Sequence, residues 1–309
     1  APRAGVADPS KTIGTAAGDY DGDGHIDLYA VNIGQLNRLY RNLGNGSFAD
    51  AAATAGVLFP VEGGYVAFFF DLDNDGLLDL FVSTMSAFPD VLNSQVTGEA
   101  IEPNRPFLYR NIGDGTFADI TGPAGLAQSF GSMGAGAADI DNDGFVDIYL
   151  ANGGPQMARL EPNALYRNRG DGTFADITSA SGTGSLGKGH GATFADFDRD
   201  GDLDLYIANY GDAVPVPDTV YRNDNGNFVL HWTQPTGSQS RGVTLLDYNE
   251  DNNIDIYVAR YRLEPNMLWD NDGSGNFGSI SDVASAMNAT GGNAHGIGSA
   301  VGDFDNDGH

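Results

Sequence analysis

Short apolar runs recur at regular intervals along this chain: Leu28-Tyr29-Ala30-Val31, Leu80-Phe81-Val82, Ile148-Tyr149-Leu150, Leu205-Tyr206-Ile207 and Ile256-Tyr257-Val258. They are rich in aromatic and β-branched residues and too short for helices, which predicts strands buried on both faces. A second set follows each at a distance: Leu39-Tyr40-Arg41-Asn42, Leu108-Tyr109-Arg110-Asn111, Leu165-Tyr166-Arg167-Asn168, Val220-Tyr221-Arg222-Asn223 and Leu268-Trp269-Asp270-Asn271. Each leads into a Gly- or Asn-rich turn and an aromatic, as in Gly113-Asp114-Gly115-Thr116-Phe117, the pattern of a tight hairpin. Ahead of each buried run lies a polar nine-residue loop, and ahead of most of these loops a segment of small residues such as Ala135-Gly136-Ala137-Ala138. The unit reads strand, acidic hairpin, strand, loop, strand, tight hairpin, strand.

Four-stranded antiparallel units recurring every roughly 50–70 residues predict an all-β fold, a β-propeller whose blades bury their faces against one another. Complete repeats span approximately 12–58, 64–127, 132–182, 189–235 and 240–290, and a sixth, 296–309, stops inside its loop. The expectation is one domain over 1–309 that forms a piece of a six- to eight-bladed ring. First strands converge on a propeller's axis, which suits small side chains; Val66-Ala67-Phe68-Phe69-Phe70 departs from that rule. A linear array of hairpins is the competing architecture, but it would leave second strands this apolar uncovered.

The polar loops share the pattern Asp-x-Asp/Asn-x-Asp-Gly/Asn-x-x-Asp. Side-chain ligands at positions 1, 3, 5 and 9 are Asp19, Asp21, Asp23 and Asp27; Asp71, Asp73, Asp75 and Asp79; Asp139, Asp141, Asp143 and Asp147; Asp196, Asp198, Asp200 and Asp204; Asp247, Asn249, Asp251 and Asp255. Asp303, Asp305 and Asp307 begin a sixth set. So many carboxylates within a few ångströms require a cation, and hard oxygen donors in this number suit Ca2+ better than the strictly octahedral Mg2+. About five calcium sites are expected, with the sixth incomplete. Position 7 would coordinate through its main-chain carbonyl, at His25, Leu77, Phe145, Asp202 and Asn253. Position 6, usually Gly, needs a left-handed turn, and Asn252 with Asn249 makes the fifth loop the weakest. An EF-hand is excluded, since it needs a 12-residue loop closed by Glu between helices.

Composition sharpens this. The 15 basic residues face 42 acidic ones, for a net charge of −27, and more than half of the acids occupy loop positions. Such a chain repels phosphate backbones, which excludes nucleic acid as a partner. No apolar run approaches the roughly 18 residues of a transmembrane helix. Cys is absent, so metal ions and blade packing must supply what disulfides would. Calcium sites of this type fill at extracellular concentrations, so the expected location is secreted or cell-surface.

The units resemble FG-GAP/VCBS repeats, the calcium-binding blades of integrin α-subunit propellers. The pairing of the acidic loop with Leu-Tyr-Arg-Asn and Gly-Asp-Gly-x-Phe is most similar to bacterial VCBS proteins and the cartilage acidic protein group with its ASPIC/UnbV domains. That resemblance implies a propeller used for adhesion, for lectin-like binding or as an accessory domain of an enzyme, and fold alone does not choose.

Length variation falls between second and third strands, on the face opposite the acidic loops, where repeat proteins often bind. The longest insertion, Thr84 to Pro106, holds Phe88, Pro89, Asp90, Glu99, Glu102 and Arg105; others contain Gln156-Met157-Ala158-Arg159 and Tyr210-Gly211-Asp212. On the same face lie the residues six positions before each loop: Ile13, Tyr65, Met133, His190, Arg241 and Ile297. Tyr65, Met133, His190 and Arg241 are candidate ligand-binding residues, and a run of unconstrained loop is the alternative for them. Catalysis has little support: there is no Cys, nucleophile elbow or His-Glu-x-x-His, and the paired carboxylates belong to the loops. The expected function is a calcium-stabilised module binding carbohydrate or protein. A domain of a polysaccharide-processing enzyme is the alternative, as is a self-associating subunit of an extracellular assembly.

Overall fold

The computed structural model describes residues 4–60, 63–85, 105–153, 161–211, 216–237, 239–262, 264–279 and 298–302. Five four-stranded antiparallel sheets follow one another along the chain, each in sequence order. The first contains β1 (Thr12–Gly18), β2 (Asp27–Asn32), β3 (Arg38–Asn42) and β4 (Phe48–Asp50). The second contains β5 (Gly64–Phe70), β6 (Asp79–Thr84), β7 (Phe107–Asn111) and β8 (Phe117–Asp119). The third contains β9 (Ser132–Ala138), β10 (Asp147–Asn152), β12 (Ala164–Asn168) and β13 (Phe174–Asp176), with β11 (Glu161–Pro162) and β14 (Leu186–Gly187) as a separate two-stranded ribbon. The fourth contains β15 (Gly189–Ala195), β16 (Asp204–Asn209), β17 (Thr219–Asp224) and β18 (Asn227–Thr233). The fifth contains β19 (Ser240–Leu246), β20 (Asp255–Arg260), β21 (Met267–Asn271) and β22 (Phe277–Ser279).

Each pair of neighbouring sheets shares one apolar core. Tyr29, Val31 and Leu39 of the first sheet pack with Ala67, Leu80 and Val82 of the second. Phe81 and Leu108 meet Ile148 and Leu150, Tyr149 meets Leu205 and Ile207, and Tyr206 with Ala208 meets Ile256 and Val258. The second strands of the three inner sheets are thus buried on both faces, one face toward each neighbour. This is the arrangement of propeller blades and not of a linear hairpin array, whose units would leave one face wet.

The first strands lie side by side along the axis. At Gly14 an added Cβ would sit 2.2 Å from the Tyr65 carbonyl oxygen, and at Gly191 2.5 Å from that of Arg241. Any larger residue would push the blades apart there. Phe68-Phe69-Phe70, the departure from small first strands, fits because its rings turn into the inter-blade cores. Phe68 stacks on Phe81 at 5.2 Å, while Phe69 occupies the space a Cβ on Gly18 would need, 3.0 Å away. Beyond β19, the hydroxyl of Ser299 meets that of Thr244, so the described residues of the sixth unit lie beside the first strand of the fifth blade.

Candidate functional site

The acidic loops share one hydrogen-bond scheme. In the first, Asp19 accepts from the amides of Asp23 (3.1 Å) and Gly24 (2.8 Å), and Asp23 from that of His25 (3.0 Å). The same bonds recur at Asp71, Asp139, Asp196 and Asp247. Position 6 is left-handed throughout, from Gly24 (φ 86°) to Asn252 (φ 64°), as expected. The closing carboxylate ties the hairpin to the third strand: Asp27 accepts from Tyr20 N (3.1 Å) and from Asn42 N (2.7 Å). Asp79, Asp147, Asp204 and Asp255 do the same in their blades. Burial pushes these closing groups above the ordinary carboxylate range, Asp79 to about 6 and Asp147 and Asp204 to about 7.

Four loops fit a cation. Oxygens of Asp19, Asp21 and Asp27 lie within 4.8 Å of one another, as do those of Asp71, Asp73 and Asp79, of Asp139, Asp141 and Asp147, and of Asp196, Asp198 and Asp204. At position 3 one oxygen is exterior and pairs with the strand-three arginine: Arg41 with Asp21, Arg110 with Asp73, Arg167 with Asp141 at 3.6 Å, Arg222 with Asp198 at 3.9 Å. The other oxygen, Oδ1 of Asp21, Asp73, Asp141 and Asp198, is buried with no hydrogen-bond partner. A buried anionic oxygen without a partner is costly, and its repetition in four loops marks the position of a positive charge. Sequence reasoning did not assign the arginine, although its place in Tyr-Arg-Asn was visible.

The fifth loop differs. Asn249 donates its amide to Asp270 (3.0 Å) and Asp251 (3.2 Å), and Asn253 donates to Asp251 (2.9 Å). Asp270 stands where the other blades have arginine, so donor and acceptor have changed places across the pair. The amides supply locally the positive poles that a cation would supply. Asp303, Asp305 and Asp307 of the sixth loop lie outside the described residues, as does Ile297.

At the far end of the first strands the candidate ligand residues come together. One cavity of about 290 Å³ is lined by Ile13, Tyr65, Met133, His190 and Arg241, with Gly298 of the sixth unit. They do not lie in loops. Each sits at a register shift of its first strand: Thr12 and Gly14 pair with adjacent residues Asn32 and Val31, leaving Ile13 over. Met133, His190 and Arg241 are skipped in the same way, and Tyr65 falls within the shift between Gly64 and Ala67. A β-bulge re-aims its extra side chain, here toward the axis. The expectation of unconstrained loop is therefore corrected: Met133 and His190 are buried at 3% and 6% exposure, within strands.

Around this cavity, the His190 ring stacks on Tyr210 at 4.6 Å, and the Arg241 guanidinium lies over Tyr261 at 4.0 Å and Tyr210 at 5.2 Å. Arg241 Nη1 reaches the Tyr65 hydroxyl at 3.5 Å from three blades away. Burial, with Arg241 and Lys188 nearby, pushes His190 down to about 3, so the imidazole is neutral. Both of its nitrogens and Arg241 Nε are buried without hydrogen-bond partners. Tyr261 was missed by sequence reasoning and Tyr210 was read only as insertion; both directly follow second strands, which was the available signal. Of the residues named in the long insertion, only Arg105, paired with Asp119, is among the described residues; Phe88, Pro89, Asp90, Glu99, Glu102 and residues 156–159 lie outside them. No helix among the described residues is long and apolar enough to cross a membrane.

FG-GAP-like repeats match residues 19–82, 88–150, 151–207, 196–258 and 247–309. The chain is 26% identical to cartilage acidic protein 1 of Xenopus tropicalis over 96% of its own length and 47% of that protein's. It is 32% identical to integrin alpha-4 of Xenopus laevis over 46% of its length and 12% of the integrin's, so it spans less than half of either relative. A protein of Lactobacillus plantarum shares the fold at a TM-score of 0.54 and 10% identity, covering 87% of this chain and 70% of that one. Repeats matched over nearly the whole chain, each with its acidic hairpin between first and second strands, make this protein a member of the FG-GAP-like repeat family.

Proposed function

We propose that the chain is a calcium-loaded propeller module that works outside the cell and binds a carbohydrate or protein ligand in the axial cavity, on the face opposite the acidic loops. The observation that carries this reading is the convergence of bulged residues from successive blades on one cavity. In a largely repetitive framework, those positions hold Ile, Tyr, Met, His and Arg in turn. Ca2+ is the ion of choice because each loop offers several hard oxygens on a flexible turn. The relatives named for cartilage and for an integrin chain support an extracellular setting. An enzymatic reading would draw on Tyr65, His190 and Arg241, but no carboxylate among the described residues lines the cavity to act with them. A glycan and matrix-protein array, probed with the chain in about 1 mM calcium, tests the proposal. Specific signals that His190→Ala removes are expected; an array with no signal, or signals indifferent to that change, counts against it.

A further inference from the structure

The cavity's chemistry narrows the ligand further. In a chain with 42 acidic residues, an arginine with no carboxylate beside it among the described residues is unusual. Arg38, Arg41, Arg105, Arg110 and Arg260 each pair with an acid, whereas Arg241 meets a tyrosine hydroxyl and two aromatic rings; its buried Nε, like that of Arg260, has no hydrogen-bond partner among the described residues. Leaving such a donor unsatisfied is unfavourable unless something binds it. A guanidinium selects carboxylates through its planar fork of donors. Beside it, the His190 ring lines the same cavity and has one donor and one acceptor nitrogen, neither with a partner among the described residues.

We propose that this cavity recognises the carboxylate of a sugar acid, with Arg241 holding the carboxylate and Tyr65 and His190 holding ring hydroxyls. This rests on the cavity being the ligand site. A sugar acid is favoured over an acidic amino-acid side chain because the rest of the wall mixes peptide groups with apolar side chains. Gly14, Gly134, Gly191, Gly242 and Gly298 bring peptide groups to its surface, and Ile13, Val66, Met133 and Val243 are the larger apolar residues between them. Peptide groups match the hydroxyls of a sugar ring, and the apolar side chains match its C–H face. The size agrees, since about 290 Å³ takes one monosaccharide unit and not a folded partner.

The test titrates the calcium-loaded chain with glucuronate and galacturonate, with glucose and galactose, and with N-acetylaspartate amide, following binding by NMR. At least tenfold tighter binding of a uronate than of its neutral parent is expected, and Arg241→Gln should abolish that preference. Equal binding of acid and parent sugar would overturn the inference while leaving the cavity as a carbohydrate site. Binding of the aspartate amide alone would overturn it in favour of a protein ligand. No binding of any probe would overturn both this inference and the cavity as the ligand site. Should Arg241→Gln not fold, the comparison of acid with parent sugar on the wild-type chain still decides.

Discussion

At the scale of single residues, the blades show how one position can be filled in two ionic states. Asn37 precedes the third strand of the first blade, accepting from Asn32 N at 2.8 Å and donating to the Tyr29 hydroxyl at 2.9 Å. Asn266 repeats this in the fifth blade, and the fourth has Asp218 instead. Asp218 accepts from Asn209 N, Tyr206 Oη and Ser240 Oγ and is fully buried. Burial raises its pKa to about 6. A carboxyl raised above its unfolded value of 3.8 contributes its stability below that value and loses it as pH rises through about 6. Asp218→Asn should therefore raise the melting temperature at pH 8, by up to about 3 kcal/mol in stability, and change little near pH 4. Thermal melts of both chains across that range check this, and an equal effect at both ends would refute it.

At the scale of elements, the strand-three asparagine couples each acidic loop to the next blade. Asn111 donates to Tyr20 O (2.7 Å), Asn168 to Leu72 O (2.8 Å), Asn223 to Ile140 O (2.7 Å) and Asn271 to Phe197 O (2.9 Å). Each acceptor is position 2 of the preceding loop, and its side chain is buried between the two blades. An ion that stiffens one loop thus supports the neighbouring interface. Asp143→Ala, in a loop with an unpartnered position-3 oxygen, should lose one bound calcium and on the order of 1.4 kcal/mol, the ligation energy of one such site. Asp251→Ala, whose carboxylate is held by Asn249 and Asn253 amides, should show a smaller loss that does not depend on calcium. Equal losses at every calcium concentration would erase the distinction between loops. The loops and strands were legible in the sequence because their spacing is local and the chemistry of four carboxylates leaves little choice. The asparagine couplings were not, since Asn111 and Tyr20 are 91 residues apart and meet only when blades pack. The bulges were hidden for a similar reason: an extra residue such as Ile13 is defined only against the register of its partner strand. The candidate positions were found by counting back from the loops, but burial and the tyrosines of neighbouring strand ends came from the fold.

At the scale of the molecule, a net charge of −27 and the absence of cysteine make bound cations the expected stabiliser of the fold. Self-repulsion on this scale destabilises the compact state, and no covalent link opposes it. Four loops each carry a three-carboxylate group, and at about 1 mM Ca2+ with a site Kd of roughly 0.1 mM each would contribute on the order of 1.4 kcal/mol. Four such terms amount to about 5–6 kcal/mol, comparable with the whole stability of an ordinary domain. The buried closing carboxylates add a pH signature. With pKa values of about 6 for Asp79 and about 7 for Asp147 and Asp204, the metal-free fold is favoured by their protonation and loses that contribution as pH rises through 6 to 7. Calcium requires the same groups deprotonated, so its stabilisation grows over the same interval. In excess EDTA the melting temperature should fall sharply at pH 8 and recover part of the loss near pH 5, while with calcium present the order of the two pH values should reverse. Calorimetric melts at both pH values, with and without chelator, measure all four terms. Identical melting curves with and without EDTA at pH 8 would refute the dependence on bound cations, and a metal-free chain most stable at pH 8 would refute the role given to the buried carboxylates.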